Sequence, residues 1–206
     1  AINFALDRTS LSAQSNGKDG ANKTLRTLLV PPTFVQVNNK DFGSVVEEKL
    51  AATGDDWKDV SLADAQDSMF NADKAKAQFA KAKEELQAQG VQFPIHIDYV
   101  VDQSSASLVQ QADSMKDSIE KTLGKENVVV DVQKLSTEDA DNATYFAQSP
   151  DQKDFDMDIA GWGPDFQDPS TYLDIFNPVD GSALAGMGIN PSTDQSLIEK
   201  LGLNED

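Results

Sequence analysis

Five aspartates in one stretch, DFDMDIAGWGPDFQDP, are the residues of this sequence best placed to do chemistry. Asp154, Asp156 and Asp158 alternate with apolar residues, and Asp165 and Asp168 follow a Gly-Trp-Gly-Pro run. Such carboxylates could form a metal loop or an acid/base site, or a strand could carry one of them to its end as a binding residue. The surrounding pattern separates these possibilities.

A calcium loop is the metal site nearest to this pattern. An EF-hand loop needs oxygen ligands at positions 1, 3 and 5, glycine at position 6 and glutamate at position 12. If Asp154 opened such a loop, Ile159 would occupy the glycine position and Asp165 the last one. The apolar residues between the aspartates instead indicate the buried side of a strand, with the carboxylates on its exposed face. We therefore predict no metal site and no cofactor here.

Catalytic signatures are weak elsewhere in the chain. His96 is the single histidine and lies in the middle of a predicted strand, which is more typical of a structural residue. No G-x-S-x-G motif supplies a nucleophile, and no glycine-rich phosphate loop is present. Acid/base catalysis by paired carboxylates stays open because the chain has 35 acidic residues, but nothing selects one pair.

Composition narrows the classes of partner. The 206-residue chain has 39% hydrophobic and 25% charged residues, as a globular protein does, and a net charge of -18. This charge disfavours nucleic acid and anionic membranes as partners. The chain has no cysteine, which excludes disulfides and thiolate chemistry. It opens on a helical pattern, AINFALDRTSL, and ends abruptly on SLIEKLGLNED, so we expect a fragment of a longer protein.

Alternating strands and helices would position the aspartates. An irregular excursion at 15–68, with a short helical run near SVVEEKLAA, precedes a βαβ core at 91–165. Hydrophobic periodicity and capping residues predict, in order, a helix at 71–90, a strand at 93–101, a helix at 104–124, a strand at 127–135, a helix at 136–148 and a strand at 155–162. Asn71 and Ser136 stand at predicted helix starts, and Gly90 and Gly124 at predicted ends. This order predicts an α/β lobe.

The loop after the third strand is the predicted site, because ligands of open α/β sheets bind beyond the carboxyl ends of strands. Gly161 and Gly163 permit a sharp turn or a close ligand, and Trp162 offers a flat apolar wall with one N–H donor. Asp165 follows a proline, which holds it in a rigid segment. Asp168 precedes another proline and is predicted to cap the next helix rather than bind a ligand.

Two segments, AINFALDR at 1–8 and GWGPDFQDPSTYLDIF at 161–176, resemble the extracytoplasmic solute-binding proteins of peptide ABC importers. The similarity is strongest to oligopeptide-binding lipoproteins of Gram-positive bacteria. It implies that residues 1–206 form one lobe of a two-lobed, periplasmic-binding-protein-like (type II) clamp, with a mixed sheet and flanking helices. It also implies that Asp165 receives the α-ammonium of a peptide and that Trp162 walls a side-chain pocket, with Gly161, Gly163 and Phe166 beside them.

The same resemblance implies the partners and the location. The expected partners are an oligopeptide, a membrane ABC permease and a second lobe of the same chain. The expected location is the extracellular face of the cytoplasmic membrane, with a lipid anchor on an N-terminal cysteine that this fragment lacks. The chain is expected to be a binding protein and not an enzyme. Another solute, such as an oligosaccharide or a chelated metal, is the main alternative, and an acid-catalysed hydrolase is the second.

Overall fold

The computed structural model describes residues 1–147 and 149–200, which contain helices and two two-stranded sheets. Strands β1 (Gln36–Val37) and β2 (Lys40–Asp41) pair antiparallel, and β3 (Ile95–Asp102) and β4 (Val128–Leu135) pair parallel. The helices are α1 (Ile2–Ala5), α2 (Arg8–Gly20), α3 (Phe42–Thr53), α4 (Ala72–Ala88), α5 (Ala106–Leu123), α6 (Thr137–Ala143), α7 (Ser170–Leu173), α8 (Ala183–Gly186) and α9 (Gln195–Lys200). The expected mixture of helix and sheet is confirmed, with the parallel and antiparallel pairs in separate sheets.

The predicted starts of α4 and α6 and the predicted ends of α4 and α5 are confirmed by their caps. The Asn71 side chain accepts a hydrogen bond from the Lys74 N–H (2.9 Å), and that of Ser136 accepts one from the Asp139 N–H (3.1 Å). These bonds satisfy N–H groups that have no partner inside the helix. Gly90 and Gly124 follow α4 and α5 with φ of +84° and +88°, a region that costs glycine no steric strain.

The main core lies where α5 crosses between the two parallel strands. On β3, Ile97, Tyr99 and Val101 are buried on one face, at every second residue as predicted, and Val100 is buried on the other face. On α5 they recur at helical spacing, at Ala112, Met115, Ile119 and Leu123. The same cluster also contains Phe4, Ala5, Val60, Leu62, Met69, Ala75, Phe79, Val128 and Val130. Burying each large apolar side chain contributes about 1.5–3 kcal/mol, so α5 and the sheet stabilise one another.

The prediction of a third strand at 155–162 is wrong except at Met157. Met157 forms a parallel bridge with Tyr99, and the Val100 N–H donates to the Met157 carbonyl (3.1 Å). Before Met157 the ladder stops because the Asp156 carboxylate accepts from the Asp98 N–H (2.9 Å), so a side chain takes the place of a main-chain acceptor. Ile159 is exposed, not buried as the alternation predicted.

Two further segments differ from expectation. The opening helical pattern is divided into α1 and α2, because the Asp7 side chain accepts from the Ser10 N–H and starts a new helix. The excursion 15–68 contains the end of α2, the β1–β2 hairpin and α3, and is thus more regular than predicted.

Helix α6 ends at Ala143, before its predicted end, and the Thr144 hydroxyl donates to the Ala140 carbonyl there. Its predicted last residue, Gln148, and the chain end at 201–206 lie outside the described residues.

A buried carboxylate ties α5 to β4. Glu120 is 3% exposed, and its Oε1 accepts from Lys116 Nζ (2.7 Å) and from the Val130 N–H (3.0 Å). Lys125 Nζ lies 3.1 Å from Oε2. Burial opposes ionisation of Glu120, but these hydrogen bonds and charges outweigh it and lower the pKa of the carboxyl. The ionised form therefore stabilises the packed helix and strand.

Glu120→Gln should lower the free energy of unfolding by about 1–3 kcal/mol, because an amide cannot pair with both ammonium groups and one of its buried polar groups loses a partner. Because the pKa of Glu120 is lowered in the folded protein, the stability difference between the variant and wild type should be full above the unfolded pKa of glutamate, about 4.3. It should shrink as the pH falls through the lower folded value. Urea unfolding at several pH values measures this.

Glu84→Gln is the matched control, because Glu84 is an exposed residue of a helix surface and the same change there should have little effect. An equal loss of stability in the two variants would show that Glu120 does not hold the helix to the strand.

Candidate functional site

The candidate loop begins at the carboxyl edge of the parallel sheet. Strands β3 and β4 end together at Asp102 and Leu135, which are partners in the register. The Met157 bridge is parallel to β3, so the chain that leaves it towards Trp162 exits at the same edge. This is the edge at which open α/β sheets bind ligands.

One buried threonine holds the loop. Thr171 is 3% exposed, and its carbonyl accepts a hydrogen bond from Trp162 Nε1 (2.7 Å). Its hydroxyl accepts another from the backbone N–H of Asp165 (2.9 Å). The structure therefore brings Trp162 and Asp165 together through a residue that the sequence analysis did not select. The only sequence signal for Thr171 is its place three residues after the predicted cap Asp168.

The start of α7 fixes that threonine. The Asp168 carboxylate accepts from the Ser170 N–H (2.9 Å), and the Asp168 carbonyl accepts from the Thr171 N–H (3.2 Å). The first of these bonds favours the ionised carboxylate and lowers the pKa of Asp168, as expected for a capping residue. Asp168 was predicted at the N-cap with Pro169 as the first helical residue, but α7 begins at Ser170 with Pro169 at the N-cap position. The Asp168 carboxylate still accepts from the first N–H of the helix, one residue before the predicted place.

The excursion packs against this part of the chain. The ring of Phe34, just before the β1–β2 hairpin, meets the ring of Tyr172 edge-on with centroids 5.6 Å apart. Tyr172 follows Thr171 in α7, so the hairpin region supports the helix that holds the loop. This contact joins residues far apart in sequence, and no local pattern pointed to it.

The predicted site residues are exposed to solvent. Trp162 is 45% exposed and Phe166 55% exposed, and Asp165 is exposed too. Among the described residues, no side chain or backbone group pairs with the Asp165 carboxylate in a hydrogen bond or ion pair. A Cβ placed on Gly161 or Gly163 would meet nothing within 4 Å, so the loop is open on that side. The loop therefore presents an unpaired carboxylate beside two exposed aromatic rings.

A small cavity of about 190 Å³ lies under the same edge. It is lined by apolar residues of β3, α5 and α6, by Ile159 and Thr144, and by the carboxylates of Asp102, Asp141 and Asp158. Burial raises the pKa of Asp158, and the charge of Lys153 opposes this shift. The Tyr99 hydroxyl is buried without a hydrogen-bond partner in the described part of the chain, and burial, with a smaller contribution from the charge of Asp158, raises its pKa.

Other candidate features lie away from the loop. A larger depression of about 850 Å³ is lined by residues of α2, α4 and α5, and none of the predicted site residues lines it. His96 Nδ1 lies 2.6 Å from Asp131 Oδ2 on the open face of the sheet.

Within residues 1–147 and 149–200, no group of three metal-ligating side chains is placed to hold an ion. No helix in the same ranges has the length and apolar character to cross a membrane.

Comparisons with known proteins agree on one family. The family described as "Bacterial extracellular solute-binding proteins, family 5 Middle" matches residues 1–183. The oligopeptide-binding protein AliA of Streptococcus pneumoniae is 53% identical over 98% of this chain. The oligopeptide-binding protein SarA of Streptococcus gordonii is 50% identical over 100% of it. In both cases the chain spans 31% of the relative's length.

Solved structures share the fold. The substrate-binding domain of an oligopeptide ABC transporter from Bacillus anthracis has a TM-score of 0.61 and 22% identity, covering 98% of this chain and 32% of its own. OppA of Listeria monocytogenes bound to peptide has a TM-score of 0.56 and 23% identity, covering 96% and 32%. The expected periplasmic-binding-protein-like fold is therefore confirmed, with this chain as part of the larger protein.

Phe34→Ala should loosen α7 by removing its edge-on contact with Tyr172. Aromatic pairs contribute about 0.5–1.5 kcal/mol, so the amides at 170–173 should exchange their hydrogens severalfold faster. Hydrogen exchange with mass spectrometry measures this. Phe70→Ala removes an exposed ring elsewhere and should leave these amides unchanged. Unaltered exchange at 170–173 in the Phe34 variant would show that the hairpin region does not support the site.

Proposed function

This chain belongs to the bacterial extracellular solute-binding proteins of family 5, and from that premise we propose that it is the lobe of an oligopeptide-binding protein that receives the peptide's N-terminus. The observation that carries the proposal is the Asp165 carboxylate. It is exposed and unpaired among the described residues, while the backbone N–H of the same residue is bound to a buried threonine. The names of relatives about half identical to this chain support a peptide as the ligand.

An ammonium group is the ligand chemistry that suits this loop. A charge enclosed in a closing cleft is costly unless an opposite charge meets it, and losing one partner of such a pair costs about 3–5 kcal/mol. A carboxylate at Asp165 would select peptides with a free N-terminus and would ignore their side chains. The exposed ring of Trp162 supplies an apolar wall, and Phe166 extends the exposed aromatic surface. Gly161 and Gly163 leave room for a peptide backbone to approach.

The whole protein works, in this proposal, as a hinged clamp. The chain spans 31% of the length of its relatives, which leaves room for the second lobe that would complete the cleft. Closure around a peptide would stabilise one of two lobe arrangements, and the closed form would deliver the peptide to an ABC permease. The protein would act on the extracellular side of the membrane, held by a lipid on a cysteine upstream of residue 1.

The protein is proposed to bind and release its ligand without chemical change. Membership of a family of solute-binding proteins supports this, as do relatives named for binding. The site contains one unpaired carboxylate between aromatic rings and glycines, an arrangement suited to recognition of charge and shape.

Replacing the ammonium of the ligand tests the role of Asp165. The full-length protein should bind a mid-length peptide with a free N-terminus, and N-acetylation should weaken binding by about 3–5 kcal/mol, at least about hundredfold in Kd. Asp165→Asn should reduce binding of the free peptide by a similar factor. Isothermal titration calorimetry measures the three dissociation constants: wild type with the free peptide, wild type with the acetylated peptide, and Asp165→Asn with the free peptide.

Asp174→Asn is the matched control, because it removes the same charge from an exposed position on the turn that follows α7. Its affinity should stay near wild type. Equal affinities for free and acetylated peptide would remove the proposed role of Asp165, and no binding of either peptide would contradict the proposed function.

The isolated chain should bind the same peptide weakly, because half of the proposed cleft is absent. Calorimetry with residues 1–206 alone should give no measurable heat at micromolar concentrations. A Kd of about 1 µM or tighter would mean that this chain holds a complete site, and the two-lobed clamp would be wrong.

A further inference from the structure

We infer that Thr171 is the positioning residue of the peptide site: its hydroxyl holds the Asp165 backbone and so sets the place at which the carboxylate meets a peptide ammonium. The inference rests on the proposed function and adds to it a residue that contacts no ligand. Three polar groups of Thr171 bind three residues of the loop. Its N–H donates to the Asp168 carbonyl, its carbonyl accepts from Trp162 Nε1, and its hydroxyl accepts from the Asp165 N–H.

The loop has little else to hold it. Between residues 161 and 167, the hydrogen bonds that the structure shows are the two from Trp162 and Asp165, and both end on Thr171. Gly161 and Gly163 have no side chains, and the Pro164 nitrogen carries no hydrogen to donate. Phe166 is 55% exposed and so contributes little packing. The position of the Asp165 carboxylate therefore depends mainly on this one threonine.

Burial makes the contact effective. Thr171 is 3% exposed, so water cannot easily replace the threonine hydroxyl as acceptor for the Asp165 N–H. The Asp165 carboxylate itself stays exposed. A rigid backbone with an accessible charge lowers the cost of ordering the loop when a ligand binds. Loss of the hydroxyl should then weaken recognition of the ammonium although no ligand contact is removed.

Amide hydrogen exchange at Asp165 tests the anchor without any ligand. In the full-length protein, Thr171→Val keeps the shape of the side chain but removes the acceptor, so the Asp165 amide should exchange about tenfold faster. Thr171→Ser keeps the hydroxyl and should exchange like wild type. Thr53→Val is the control, because it removes a threonine hydroxyl from the exposed end of α3 and should not affect Asp165.

Calorimetry with free and N-acetylated peptide tests the consequence for binding. In Thr171→Val the ratio of the two affinities should fall about tenfold from the wild-type ratio, and Thr171→Ser should restore it. A threonine that only supported the fold would change stability and both affinities together, without changing their ratio.

Each outcome decides a different claim. Wild-type exchange in Thr171→Val, or equal loss in the valine and serine variants, would overturn the anchoring role. A wild-type ratio in Thr171→Val would overturn the link to ammonium recognition and leave the proposed function intact. No peptide binding by the wild type would overturn the proposed function and that link, while the exchange data still decide the anchor. If Thr171→Val fails to fold, Thr171→Cys, with a weakly accepting sulfur of similar size, should show the same faster exchange.

Discussion

The parallel pairing of β3 with β4 is the constraint on which the rest of the described chain depends. Parallel strands cannot be joined by a tight turn, so a helix must cross between them, and α5 does so with its apolar face buried on the sheet. The same pairing brings the carboxyl ends of both strands to one edge. The bridge at Met157 sends a third segment out at that edge, which is where the candidate site lies.

Two buried polar side chains hold neighbouring elements of this framework together. Glu120 accepts from Lys116 and from the Val130 N–H, so it couples the crossover helix to β4. Thr171 binds the loop residues Trp162 and Asp165 and couples them to α7. Glu120 Oε1 and the Thr171 hydroxyl accept hydrogen bonds, and Glu120 Oε2 faces the Lys125 ammonium, because a buried oxygen without a polar neighbour would cost free energy. The glycine-rich loop thereby becomes ordered without a strand of its own.

Much of the framework follows from local patterns in the sequence. The caps at Asn71 and Ser136 and the buried faces of β3 and α5 depend on residues two to four positions apart, and they were predicted. The predicted third strand was wrong before Met157 because the alternation of aspartates cannot reveal that the Asp156 side chain accepts the hydrogen bond of the Asp98 N–H. Thr171 and the contact of Phe34 with Tyr172 were not foreseen, since tertiary packing creates them. Asp165 and Trp162 were selected mainly through a family resemblance, and their role in binding stays a prediction.

A crystal structure of the full-length protein with a bound peptide would show which residue receives the peptide's N-terminus. We expect the ammonium nitrogen about 2.7–2.9 Å from an Asp165 carboxylate oxygen, at the carboxyl edge of β3 and β4, with Trp162 against the peptide. An ammonium paired with another residue, or a peptide bound away from this edge, would contradict it.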